Sequence, residues 1–183
     1  SITSGFITST AHADFRLGIM GVAVSIVDDN AGEAGLTHTN ALLGFAYHKG
    51  FFGERHTFSL GAQVGFIQKG FDPENFAFGT QWDPDQGFNP NLPAGESLLN
   101  TQITAPDLNS GIAYTYRPEE PRFIMGAHFG IGLAHVNRPN ISFFNASGIL
   151  PMKTSFIGEV NFLGTERMNI SPSVLHARQG TAR

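Results

Sequence analysis

The chain has 183 residues, of which 41% are hydrophobic, 11% aromatic and only 14% charged, and its formal net charge is −4 at pH 7. A charged fraction so far below the usual value of about 25% favours an outer surface that does not face water, and the negative charge argues against a nucleic-acid partner. The absence of cysteine excludes disulfides, thiol catalysis and cysteine-ligated metals. No run of about 18 apolar residues occurs, so a spanning segment would have to be a barrel strand.

Seven segments alternate between apolar and small or polar residues, with the period of two that is typical of β-strands. In chain order they cover residues 19–27, 36–49, 56–68, 108–116, 123–136, 153–163 and 167–177. In the third segment Phe58, Leu60 and Val64 share one face, while Ser59 and Gln63 share the other. In the clearest segments the non-apolar face is small or neutral rather than charged, which suits a lumen or a crowded interior.

The predicted connections alternate in length. Long ones cover residues 28–35, 69–107 and 137–152, and short ones cover 50–55, 117–122 and 164–167. In a meander every second connection lies at the same end, and transmembrane barrels have short periplasmic turns and longer extracellular loops. Because similar strands resume after it, the segment 69–107 is predicted to be one long external loop within a single domain spanning residues 1–183.

These patterns predict an all-β fold, an antiparallel up-and-down transmembrane β-barrel. Bacterial single-chain barrels have even strand numbers from eight upward. About seven strands are therefore expected to form about half of such a barrel.

Four short stretches resemble, in order and with similar spacing, signatures of the PorP/SprF family of type IX secretion system outer-membrane proteins. They are VSIVDDNAG (24–32), GFAYHKG (44–50), GIGLAHVNRPNISF (130–143) and MNISPSVLHARQG (168–180). The chain departs from the family pattern at Ala134, where a Ser is usual. Members of the family are typically longer, so the chain is expected to lack strands at both ends.

The resemblance implies a non-enzymatic protein of the Bacteroidota cell outer membrane that helps to secrete or anchor cargo, such as a gliding adhesin. The implied partners are the periplasmic ring and translocon of the system, the cargo itself and outer-membrane lipid. Two other classes remain open: a passive porin or hydrophobic-solute channel, and a soluble all-β binding module. A porin should line its lumen with charge, and a soluble module should not depend on detergent.

No motif predicts a catalytic, cofactor or metal site. The histidines lack a helical zinc spacing, G-x-S-x-G is absent, and Gly130-Ile131-Gly132 lies within a strand pattern. His48 and His135 are predicted to be hydrogen-bonding residues of the lumen or the strand ends, with partner contact as the alternative.

Acidic residues cluster in the long loop, at Asp72, Glu74, Asp83 and Asp85. They are interpreted as solvated turn residues, with a calcium site as the alternative.

Aromatic residues indicate two kinds of contact surface. Those of the long loop are candidates for partner contact, because aromatic anchors are enriched at interfaces. These candidates are Phe71, Phe76, Phe78, Trp82 and Phe88. A second group near the short turns is predicted to lie at the periplasmic membrane interface, where barrels carry aromatic girdles. It comprises Tyr47, Phe51, Phe52, Tyr114 and Tyr116.

Overall fold

Antiparallel strands make up most of the chain. The structure, a computed structural model, describes residues 5–32, 35–72, 79–83, 87–89, 91–93, 101–120, 123–143, 147–165 and 168–180. The strands of these residues are β1 (Phe6–Leu17), β2 (Met20–Ala31), β3 (Leu36–Phe51), β4 (His56–Gly70), β5 (Trp82–Asp83), β6 (Gly87–Phe88), β7 (Gln102–Tyr116), β8 (Ile124–Ala134), β9 (Lys153–Thr165), β10 (Met168–Ile170) and β11 (Ser173–Gln179).

One 9-stranded sheet contains every strand except β5 and β6. Its order is β1-β2-β3-β4-β7-β8-β9, and both β10 and β11 pair with β9. Neighbouring strands within this sheet are antiparallel, so the prediction of an all-β, up-and-down antiparallel architecture is confirmed. Within the described residues the two edges of the sheet do not pair with each other, so the barrel is not closed.

The strand count differs from the predicted seven. Six predicted segments each form one strand, and the last one, 167–177, is divided into β10 and β11. The division falls at Pro172, which has no backbone N–H to donate to the ladder, although its carbonyl oxygen accepts a hydrogen bond from Val160 N at 3.2 Å. Strand β1 was missed altogether.

Several strands also extend further than predicted. β2 continues to Ala31, β4 continues to Gly70, and β7 begins at Gln102. The first predicted long connection therefore shrinks to residues 32–35, and the strict alternation of long and short connections does not hold there. The connections 71–101 and 135–152 still lie together at one end, here called the long-loop end. The turns at 18–19, 52–55 and 117–123 lie at the other, the short-turn end.

The concave face of the sheet is rich in glycine, and at one position, Gly65, the packing of β4 against β3 requires it. A Cβ on Gly65 would lie 1.8 Å from the carbonyl oxygen of Ala41 on β3. No real Cβ approaches backbone so closely, so only glycine permits the close approach of β4 to β3 at this point.

The long connection 71–101 contains a small ordered unit. A 3-10 turn (Gly79–Gln81) leads into β5, which pairs with β6 so that Trp82 lies opposite Phe88. Gln81 is buried, and its Nε2 donates to the carbonyl oxygen of Leu92 at 3.1 Å. This unit is called the β5–β6 hairpin below.

Candidate functional site

The convex face of the sheet carries a continuous apolar band. Across β3, β4 and β7, Leu43 lies opposite Val64, and Val64 lies opposite Leu108. The band contains exposed apolar side chains from strands across the sheet, namely Phe15, Val24, Leu43, Phe45, Phe58, Leu60, Val64, Phe66, Leu108, Ile112, Phe129, Ile131, Phe156 and Val174. At about 3.3 Å per residue, the stretch from Phe58 to Phe66 is about 26 Å long before strand tilt is considered, which is comparable with the apolar band of about 25 Å on transmembrane barrels.

An aromatic cluster borders this band at the short-turn end. His56 is at its centre, because its ring lies 5.7 Å from Phe52, 6.0 Å from Tyr114 and 5.1 Å from Tyr116. The Nδ1 atom of His56 is also 2.7 Å from the hydroxyl oxygen of Tyr114. Phe58 extends the cluster at 5.0 Å from Tyr114. The tyrosine and histidine rings of this cluster combine an apolar body with a polar tip, which suits a membrane–water interface.

The turns beyond the aromatic cluster are joined by an ion pair. Nη2 of Arg55, in the β3–β4 turn, donates to Oε2 of Glu119, in the β7–β8 turn. Arg117 N also donates to Arg55 O at 2.8 Å. The hydrogen bond and the charge of Arg55 lower the pKa of the Glu119 carboxyl, and Glu119 in turn raises the pKa of Arg55.

The concave face forms a groove of about 710 Å³. Its floor is made by small residues, and its polar lining is largely neutral, with Asp14 and Arg16 at one side. Two histidines in the groove lining bond to hydroxyl groups on neighbouring strands. His48 Nδ1 lies 2.8 Å from Ser59 Oγ, and His128 Nδ1 lies 3.1 Å from Thr115 Oγ1.

A polar network lies on the concave face at the long-loop end. Asp107 is fully buried, and its Oδ1 is 2.8 Å from Nδ1 of His135. Nδ2 of Asn40 donates to the other carboxylate oxygen at 3.4 Å. Asn109 accepts from His135 N at 2.9 Å and donates to Gln63 Oε1 at 3.3 Å. Asp107 was predicted to end a loop, and this network was not predicted. The alternation of β7 could have indicated it, because it puts Asp107 on the same face as Asn109 and Gly111.

His48 and His135 thus both make hydrogen bonds on the concave face, as predicted. They are not brought together with each other in one cluster, since His48 bonds to Ser59 and His135 to Asp107. The Gly130-Ile131-Gly132 sequence lies inside β8, and the described residues between β8 and β9 contain no helix.

Of the five aromatic candidates of the long loop, the structure describes Phe71, Trp82 and Phe88. Phe71 packs edge-to-face against Phe143 at 4.8 Å. Trp82 is 65% exposed and Phe88 is 43% exposed, and they lie opposite each other in the β5–β6 hairpin. Phe76 and Phe78 lie outside the described residues.

Of the acidic residues in the same loop, Glu74 and Asp85 also lie outside the described part of the chain. In that described part, no group of three or more histidine or acidic side chains is arranged to hold a metal ion. No helix among the same residues has both the length and the apolar character needed to cross a membrane.

A family model described as type IX secretion system membrane protein PorP/SprF matches residues 2–183, which is nearly the whole chain. No curated protein and no solved structure is significantly similar to this chain. Since the matched region covers all four stretches that resemble the family and the fold is the antiparallel meander expected from them, the chain belongs to the PorP/SprF family of type IX secretion system membrane proteins.

Proposed function

We propose that this protein is a non-enzymatic outer-membrane component of the type IX secretion system, and that it helps to secrete or anchor cargo, such as a gliding adhesin, at the cell surface. The observation that carries the proposal is the family match over residues 2–183. The fold adds a physical reason, because a sheet with one continuous apolar face is suited to a lipid environment.

Lipid is the proposed partner of the convex face. Its exposed aliphatic and aromatic side chains, such as Leu60, Val64 and Ile112, would be costly to leave in water as one contiguous surface. The aromatic cluster around His56 borders the band at the height where barrels have their interfacial girdle. The chain is proposed to be one barrel domain, with further strands completing the wall beyond β1 and β11.

The two ends of the sheet are proposed to meet different partners. The short turns face the periplasm, where the ring of the secretion system would contact them, and the connection 71–101 is external. Trp82 and Phe88 are the best candidates for partner contact, because both are exposed and are presented on the ordered β5–β6 hairpin. Phe71 contributes to the packing against Phe143 instead, and Phe76 and Phe78 remain candidates within the same loop.

The non-enzymatic role is supported by the way in which polar side chains of the concave face are used. Catalysis needs a nucleophile, a base or a metal set that converge on one substrate. The histidines here bond to hydroxyl, carboxylate and amide groups of neighbouring strands, which gives them structural partners.

Secretion assays in cells that lack the protein test this function. The wild-type gene should restore export and surface anchoring of cargo. Single changes at His48, His135 or Asp83 should lower export only as far as they reduce the amount of folded protein or its association with partners. A folded variant with normal partner recovery but no export would contradict the non-enzymatic role.

A further inference from the structure

Burial on the concave face is concentrated at the long-loop end. Ile67 is 1% exposed, Ala105 is 6% exposed and Asp107 is 0% exposed, and all three lie on neighbouring positions of β4 and β7. Farther down the same face, around Ser59 and Gly61, the groove is open. One layer of sheet cannot bury its own face, so chain from the connections must cover the long-loop end.

The segment that directly follows β8 is attached to β7 at this end. His135 N donates to Asn109 Oδ1 at 2.9 Å, and Val136 N donates to Leu108 O at 2.8 Å. The Asn137 side chain completes the attachment: its Oδ1 accepts from Leu108 N at 3.1 Å, and its Nδ2 donates to Pro106 O at 2.7 Å. Three consecutive residues are therefore fastened to β7 after the regular strand has ended.

The backbone at this point adopts an uncommon conformation. His135 has φ of 57° and Arg138 has φ of 47°, values that residues other than glycine rarely adopt. Such a conformation persists only where the surroundings impose it. The contact between His135 and the buried Asp107 is the interaction that can impose it, because an unpaired carboxylate would be costly to bury.

The next residues fold back on themselves and reach the neighbouring long connection. Ile141 N donates to Gly148 O at 3.0 Å, and Leu150 N donates to Pro139 O at 2.9 Å. Phe143 then packs against Phe71, directly after β4. The segment 135–143 thus runs from the end of β8, is held on the inner wall at β7 and touches the chain beyond β4.

We propose that residues 135–143 form a fixed strap that closes the long-loop end of the lumen, with the Asp107–His135 pair as its fastening. The protein is then a non-conducting platform, and cargo does not pass through its lumen. This inference rests on the proposed membrane location, but it concerns the lumen and not the partners.

Conductance of the purified protein in planar bilayers tests the strap. The wild-type protein should insert and remain closed to small ions. His135→Ala should raise the open fraction about tenfold or more, because loss of one buried charge-assisted hydrogen bond corresponds to at least about that shift. Asn137→Ala removes two bonds of the strap without leaving a buried charge, and it should also raise the open fraction. This variant replaces His135→Ala in the test if His135→Ala does not fold.

His128→Ala is the matched control, since it removes an inward-facing histidine that bonds to Thr115 on the same face but away from the strap. It should leave the protein closed. Asp107→Asn combined with His135→Ala should open the protein no further than the stronger single change, because both act through one contact.

Wild-type protein that conducts as freely as the His135→Ala variant would overturn the strap, and so would equal opening by His128→Ala. Failure of the wild-type protein to insert into any bilayer would instead contradict the proposed membrane function. The two failures are therefore distinguishable.

Discussion

Oδ1 of Asp107 lies 2.8 Å from Nδ1 of His135, although the two residues are 28 positions apart in the chain. The carboxylate has no exposure to solvent, so its environment depends on this imidazole and on the amide of Asn40. The contact joins the wall of the sheet to the segment that leaves β8. It lies where the regular pairing of β7 and β8 ends.

A charge on the convex face should oppose membrane insertion. Val64→Arg places a guanidinium in the middle of the apolar band and is expected to cost about 2–4 kcal/mol. Gln63→Arg, one residue away on the concave face, is the matched control and should cost less. Folding into lipid vesicles, followed by circular dichroism and by protection from protease, measures both. Equal insertion of the Val64→Arg variant and the wild type would show that this face does not meet lipid.

Gly65 should be irreplaceable, whereas Gly132 should not. An alanine Cβ at position 65 would meet backbone at 1.8 Å, but one at position 132 would have no atom within 4 Å. We expect Gly65→Ala to destabilise the protein by about 3 kcal/mol or more, and Gly132→Ala to change its stability by less than about 1 kcal/mol. Urea or guanidinium titration of the refolded proteins provides the comparison. Similar midpoints for the two variants would contradict the tight β3–β4 approach.

The β5–β6 hairpin should be reached from outside the cell. Residues 71–101 contain no Lys or Arg, so trypsin cannot cut this connection, whereas a protease specific for aromatic residues can cut at the exposed Trp82 or Phe88. Intact cells treated with chymotrypsin should therefore yield fragments divided within 71–101. Trypsin should spare Arg55 and Arg122 until the outer membrane is permeabilised. Cleavage at these arginines in intact cells, with the hairpin spared, would invert the proposed topology.

Trp82 should contribute to partner binding without contributing to the fold. Because the ring of Trp82 is exposed, Trp82→Ala removes an aromatic anchor. If the residue lies at the centre of the contact, the binding free energy of the partner should weaken by about 2 kcal/mol. Asn91→Ala, an exposed change in the same connection, is the control. Partner recovery from detergent extracts and the yield of folded protein should be measured together. Unchanged recovery with Trp82→Ala would remove this residue from the contact surface.

The ion pair between Arg55 and Glu119, which joins two turns at the short-turn end, should weaken in acid. The Glu119 pKa is lowered from 4.5 by Arg55, so the ion pair contributes fully above 4.5 and is lost as pH falls through the lower value of the folded protein. Both groups are exposed, and the effect should be small. Hydrogen exchange at the two turns should differ between wild type and Glu119→Gln at pH 7, and the difference should shrink as pH falls below 4.5. No difference between the two proteins at pH 7 would contradict the ion pair.

Alternation was enough to find most strands, because one face of each must be apolar. β4 is the clearest case, since its residues from Phe58 to Phe66 switch faces without exception. β1 was not predicted because its two faces differ little in polarity: Thr8, Ser9 and Thr10 are all polar. Strand ends were missed for a related reason, since Asp28, Asn30 and Gln102 extend the ladder beyond the apolar band, where side chains carry no periodic signal.

The candidate site was less predictable than the fold. The composition of the concave face indicated a neutral interior, and the residues that line the groove are largely neutral. The pairing of Asp107 with His135 requires the register between β7 and β8 and the inward turn at His135, and neither is encoded in a local pattern. Contact between Phe71 and Phe143 depends on two connections meeting above the sheet, so the exposure of Phe71 could not be inferred from its type.

Affinity purification from cells, in mild detergent, tests the central claim most directly. A tagged protein should be recovered in folded form together with other components of the type IX secretion system, and the tagged Val64→Arg variant should recover few of them because it does not reach the membrane. Recovery of the folded wild-type protein from the membrane without any other component of the system, at a yield that would reveal a stoichiometric partner, would contradict a role in the secretion assembly.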